Sequence, residues 1–177
     1  SKYAIATEQV IEIMKLPYLE YPQKLPNNIV GLLNYNNFTL NILDIRFYLN
    51  IKVTPYSASN QLLIVKTDED FLGLIINRVE DIVPLNQSQL ERLSLKNEDR
   101  LVDFLYRQDE GSIAGLDIFT LEKLIKKGVP ATDIDIPSLF PQDDESRYKL
   151  IQRNKELAEK LKLDLAKNIF SQDKFIS

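Results

Sequence analysis

A mainly β fold of short strands is predicted by three observations. The run Gly31-Leu-Leu-Asn-Tyr-Asn-Asn-Phe-Thr-Leu-Asn-Ile-Leu-Asp-Ile-Arg46 reads as apolar strand, tight turn, apolar strand. Asn36-Asn37 sits at its turn, and asparagine tolerates positive φ better than any other non-glycine residue, which suits a two-residue hairpin. A second apolar run, Phe71 to Val83, follows at the spacing of one small barrel. Around both, short apolar runs recur closely with turn signals between them, as in barrels and sandwiches.

The elements follow in chain order. Tyr3-Ala-Ile-Ala6 is a first apolar run. Thr7 to Met14 reads as a short helical turn feeding a strand. Pro17, Pro22 and Pro26 then mark a loop, since proline removes a ladder donor and restricts the residue before it. Leu62–Lys66 is a buried strand, Thr67–Asp70 its turn, and Phe71–Ile76 its partner, with the apolar pattern continuing through Val79, Ile82 and Val83. Leu101–Tyr106 and Ser112–Ile118 form a further hairpin around Asp109-Glu-Gly111. Thr120 is the predicted N-cap of a helix over Leu121–Lys127, which Gly128 and Pro130 stop.

Beyond this the pattern changes. Residues 129–144 carry Pro130, Pro137, Pro141 and several aspartates, and read as a linker. Leu150, Ile151, Leu157, Ala158, Leu161 and Leu165 then recur at three- and four-residue steps, the signature of an amphipathic helix capped by Asp144 or Ser146. That helix either packs on the strand domain, serves as a stiff spacer, or forms a coiled coil. Phe175-Ile176 reads as the start of a strand.

Composition narrows the chemistry. The chain of 177 residues contains no His, no Cys and no Trp. Triads built on Ser–His or Cys–His are excluded, and zinc, iron–sulfur and haem sites lose their preferred ligands. Disulfides cannot form, and no apolar run is long enough for a transmembrane helix. Five glycines form no phosphate-cradling pattern. Asp44, Glu110 and Asp117 are the carboxylates to weigh for acid–base work, but nothing in the sequence pairs two of them, and the usual neutral-pH base is missing. Residues 1–144 hold 14 basic and 21 acidic residues, a net of −7, whereas residues 145–177 hold 8 and 5, a net of +3. An acidic body argues against phosphate-backbone binding. The mixed signs of the tail favour a solvated helix over a nucleic-acid or membrane contact. An interaction module without cofactor is the reading these facts leave.

In order and spacing, these residues resemble the CheW-like domain of bacterial chemotaxis. Tyr3-Ala-Ile5, Val10-Ile-Glu-Ile13, Gly31-Leu-Leu-Asn34, Leu43-Asp-Ile-Arg46 and Gly73-Leu-Ile-Ile-Asn-Arg-Val79-Glu-Asp-Ile82 carry the resemblance, over about residues 2–127. It implies two SH3-like five-stranded β-barrels with short helices, here followed by the amphipathic helix. It also implies a cytoplasmic adaptor, with no catalytic step, whose surfaces dock a chemoreceptor cytoplasmic tip and the regulatory domain of a CheA-type histidine kinase. The positions carried over for partner binding are Glu12, Ile13, Asn36, Asp44 and Arg46. Residue by residue, Glu12 is either a contact or a solvent-facing carboxylate, and Asp44 with Arg46 is either a presented charge or a local anchor.

Departures from the family pattern are specific. Asn36-Asn37 stands where the family has Arg-Gly, which removes a five-donor fork. Asn41 replaces a proline and Asn77 an aspartate. These changes predict a divergent or auxiliary adaptor. The family also opens with a strand before Tyr3. Arg153-Asn-Lys-Glu-Leu-Ala158 resembles the helix that precedes a following repeat in tandem proteins, so the tail either begins another repeat or folds back as an edge strand. The expected organisation is a domain over 1–128, a linker over 129–144, a helix over 145–168 and a tail over 169–177. The alternative is an SH3-like peptide- or nucleic-acid-binding module outside chemotaxis.

Overall fold

The computed structural model describes residues 2–25, 28–84, 86–93, 100–127 and 134–176, with side chains up to 164. Nine strands form two sheets: β1 Lys2–Ala4, β2 Val10–Lys15, β3 Gly31–Tyr35, β4 Phe38–Leu43, β5 Gln61–Lys66, β6 Phe71–Ile76, β7 Leu90–Arg92, β8 Val102–Gln108 and β9 Gly111–Leu116. One sheet runs β1-β9-β8-β7 and the other β2-β5-β6-β4-β3. Two helices follow, α1 Ile118–Lys127 and α2 Asp144–Ile176.

The turns explain the hairpins. Tyr35 pairs with Phe38, and Asn36 and Asn37 between them have φ of 48° and 67°. Both are left-handed, as a two-residue turn matched to strand twist requires. In the β5–β6 turn, the Thr67 hydroxyl donates to the Asp70 carbonyl and accepts from the Asp70 amide. Gly111, at φ 118°, ends the β8–β9 turn.

Side-chain alternation in the five-stranded sheet builds two cores. Leu62 and Ile64 of β5 join Leu33, Leu40, Ile42 and Ile75 in one cluster, which Leu16, Tyr56, Leu150 and Leu157 complete. Leu63 and Val65 point the other way, with Leu43, Leu72 and Leu74, and meet Leu116, Ile118 and Leu121. The sheet is thus buried on both faces, which is why its central strands read as continuous apolar runs.

Several expectations need correction. The resemblance implied two five-stranded barrels, but the sheets have five and four strands, and neither closes among the described residues. In the larger sheet β2 and β3 do not pair, and the segment after β2 meets β3 in one bridge, Glu20 to Leu32. Pro17, which lacks an amide donor, follows the end of β2 and precedes that bridge. Residues 77–84 leave the sheet, so the apolar alternation after Ile76 is not a strand. The cap of α1 is Asp117, not Thr120: its carboxylate accepts from the Phe119 and Thr120 amides at 3.0 and 3.4 Å. Thr120 falls three positions later and donates its hydroxyl to the same carboxylate. Gly128 and Pro130 lie outside the described residues.

The proline-rich segment is more than a spacer. A 3-10 turn over Ile136–Leu139 buries both its terminal residues in the first core. The cap of α2 is Asp143, which accepts from the Ser146 amide at 2.9 Å. Hydrogen bonds from Ser146 hold its carboxyl below the usual range. Asp144 and Glu145 then complement the helix dipole in the first turn. The helix runs on to Ile176, so the tail is helical rather than an edge strand. No glycine or proline interrupts it.

Candidate partner-binding surface

Asp44 directly follows β4 and is completely buried. Arg46 turns back on it, with Nε 3.0 Å from both carboxylate oxygens and Nη2 2.6 Å from Oδ2. The Arg46 amide and the Tyr56 hydroxyl complete the set, at 3.0 and 2.7 Å. The guanidinium also donates to the Thr54 hydroxyl and carbonyl and lies 5.6 Å from the Tyr56 ring centre. Burial, reinforced by Asp44, pushes the Tyr56 hydroxyl above its ordinary range. Asp44 therefore serves Arg46 and Tyr56 rather than the surface, and the pair fixes the 44–56 loop.

Glu12 and Ile13 are neighbours on β2 with opposite surroundings. The Glu12 side chain is only 19% exposed. Its Oε2 accepts from the Tyr35 hydroxyl at 2.6 Å, and its Oε1 receives the Lys160 ammonium at 2.7 Å. Burial first, then Glu12, raises the Tyr35 hydroxyl pKa. Ile13, 45% exposed, points to the other face. Glu12 is thereby brought near the hairpin turn, because Tyr35 directly precedes Asn36. Phe38, across the turn, packs edge-on to Tyr35 and stacks on Phe71.

Exposed aliphatic side chains stand on β2 and on the segment that joins β6 to β7. Ile11 and Ile13 lie on the first; Val79, Ile82 and Val83 lie on the second, with Ile82 74% exposed. That segment is pinned near its start, at two adjacent residues. The Val79 amide donates to the Gln61 side chain, and Glu80 meets Lys2 of β1 at 3.0 Å. Single exposed aliphatics are ordinary; β2 and the segment after β6 carry five between them.

Sequence reasoning missed the polar face of α2. Arg153 donates to the Leu16 and Ala58 carbonyls at 2.9 and 2.8 Å. Asn154 accepts from the Tyr18 amide and donates to its carbonyl. Its signal was present: residues 153 and 154 fall on the stripe of Leu150, Leu157 and Leu161, where a polar side chain needs a partner.

Among the described residues no cluster of acidic side chains could hold a metal, and no helix is long and apolar enough to cross a membrane. No curated protein matches the chain. The solved structure of the scaffolding protein CheW from Thermoanaerobacter tengcongensis is similar in fold, with a TM-score of 0.56 at 19% identity, covering 65% of this chain and 80% of that one. The CheW-like domain family matches residues 1–126, and the chain belongs to that family.

Proposed function

We propose that this chain is a non-enzymatic chemotaxis adaptor that couples chemoreceptor cytoplasmic tips to a CheA-type histidine kinase through protein–protein contacts in the cytoplasm. The observation that carries this is a set of five exposed aliphatic side chains, Ile11, Ile13, Val79, Ile82 and Val83, on a CheW-like fold. Exposed aliphatic side chains suit the apolar face of an amphipathic helix. In this reading Ile13 is a direct contact, and Glu12, on the opposite face of β2, supports the strand through Tyr35 and Lys160. Asn36 presents an amide at the hairpin tip, in place of the family's guanidinium. Asp44 and Arg46 contribute by fixing the loop after β4. The acidic balance of residues 1–144 favours a protein partner over nucleic acid.

The test is assembly. The chain is mixed with a receptor-tip helical hairpin and a CheA kinase regulatory domain, and the mixture is resolved by size-exclusion chromatography. One peak containing all three is expected. Elution of the folded chain alone contradicts the reading.

A further inference from the structure

Helix α2 docks on the strand domain through one stripe over about its first five turns. Leu150 and Leu157 enter the first core, and Leu161 packs against it. Arg153 and Asn154 bind main-chain groups between them. One turn on, the Asp164 carboxylate is close enough to help raise the hydroxyl of Tyr35, the last residue of β3 before its turn. Residues 165–176 carry the helix about 18 Å further along its axis.

A second stripe runs beside the docked one. Ala158 and Lys162 follow Leu157 and Leu161 by one residue, about 100° round the helix, and both are exposed. From Ala158, steps of four and three residues lead to Lys162, Leu165, Ile169, Gln172 and Ile176, which is the spacing of a heptad seam. Six of the twelve positions after Asp164 are apolar: Leu165, Ala166, Ile169, Phe170, Phe175 and Ile176. A helical arm of that length is marginal in water without a partner.

The seam itself selects the partner. Set antiparallel against a second copy, Ala158 falls opposite Ile176, Lys162 opposite Gln172 and Leu165 opposite Ile169, each layer twice about a two-fold axis. Small meets large, aliphatic meets aliphatic, and the ammonium meets an amide oxygen able to accept from it. The flanking positions agree, with Leu161 beside Phe175 and Ala166 beside its own copy. The like-charge flank, Glu159 beside Asp173, falls at the rim, where water and salt screen it. A parallel pair would instead set Lys162 against Lys162 inside the seam, a repulsive layer.

We propose that the distal half of α2 is a self-association surface, on which residues 158–176 pair antiparallel with the same residues of a second copy and leave one strand domain at each end. The pairing stands apart from the contact at β2 and joins two such surfaces in one assembly.

The test is sedimentation equilibrium of the full chain, wild type against Leu165→Asp. Wild type is expected to pass from monomer to dimer as concentration rises. Leu165→Asp is expected to dimerise roughly tenfold more weakly or worse, since each dimer loses two buried leucines. A wild type that stays monomeric at millimolar concentration overturns the proposal, as does an equally strong dimer of Leu165→Asp. Capture of the receptor-tip hairpin by a monomeric wild type, lost in Leu165→Asp, would make a foreign helix the occupant and overturn self-pairing. Orientation is read by disulfides, because the chain has no cysteine of its own. Ala158→Cys mixed with Ile176→Cys is expected to give the mixed disulfide, whereas the two copies of position 158 lie about 27 Å apart along the axis. A disulfide in Ala158→Cys alone, with none in the mixture, overturns the antiparallel pairing.

Discussion

Arg46 folds back over Asp44, two residues earlier in the chain, and places Nη2 2.6 Å from Oδ2 while the carboxylate is wholly buried. The pair is an anchor within the fold. Removing one member of a buried pair leaves the other uncompensated, at about 3–5 kcal/mol. Because the Arg46 side chain is 17% exposed, Asp44→Ala is expected near the lower end of that range. Arg46→Lys should not restore stability, since an ammonium cannot make the planar fork. Urea denaturation reads both. A loss below about 1 kcal/mol for Asp44→Ala would contradict the anchor.

Gly115 and Gly73 are expected to respond differently to alanine. An added Cβ at Gly115 would collide with three ring atoms of Phe104, whereas at Gly73 its nearest neighbour is the terminal methyl of Ile42. A rigid ring cannot yield as a chain end does. Gly115→Ala should cost at least the 1–3 kcal/mol typical of overpacking, roughly, and more than Gly73→Ala. Equal melting temperatures of the two variants would show that Phe104 can move aside.

The docking of α2 has its own test. Leu157→Ala should cost at least about 2 kcal/mol, and Arg153→Ala about 1.5–3 kcal/mol through the two orphaned carbonyls. Leu157→Asp goes further and is expected to release the helix. Hydrogen exchange should then show lost protection in residues 150–164 with β5 and β6 still protected. Unchanged protection of the helix would contradict docking.

Alkaline stability is set by the buried tyrosines. Burial pushes the Tyr48 hydroxyl from about 10 up to about 12, and Tyr35 and Tyr56 are also raised. A group whose pKa is raised on folding contributes stability that is complete below its unfolded pKa and disappears as pH approaches the folded one. Thermal stability is therefore expected to fall between pH 10 and 12, less steeply in Tyr48→Phe. A flat profile over that window would contradict the burial argument.

The hairpins were legible because their signals are local. Asn36-Asn37 can take the left-handed conformation, and the apolar runs on either side fix register. The helical turn before β2 and the β8–β9 hairpin were read the same way. Sheet closure was not legible, because it depends on how the chain after β2 meets β3, which it does in one bridge at Glu20. The caps were misplaced by one to three residues, since Asp117 and Thr120, or Asp143, Asp144 and Ser146, are all chemically competent and only backbone geometry chooses. At the surface, Ile13 was named and is exposed. Its companions Val79, Ile82 and Val83 were read as strand because their alternation continues from β6. Lys160 could not be linked to Glu12 from sequence, 148 positions earlier.

The most direct measurement is a titration of the receptor-tip helical hairpin and the kinase regulatory domain against wild type and Ile13→Asp. Ile13 is exposed, so the substitution leaves the fold intact. The account expects saturable binding by wild type to both probes, with at least one lost in the folded variant. Equal binding by the two proteins, or none by either, would contradict an adaptor that works through β2.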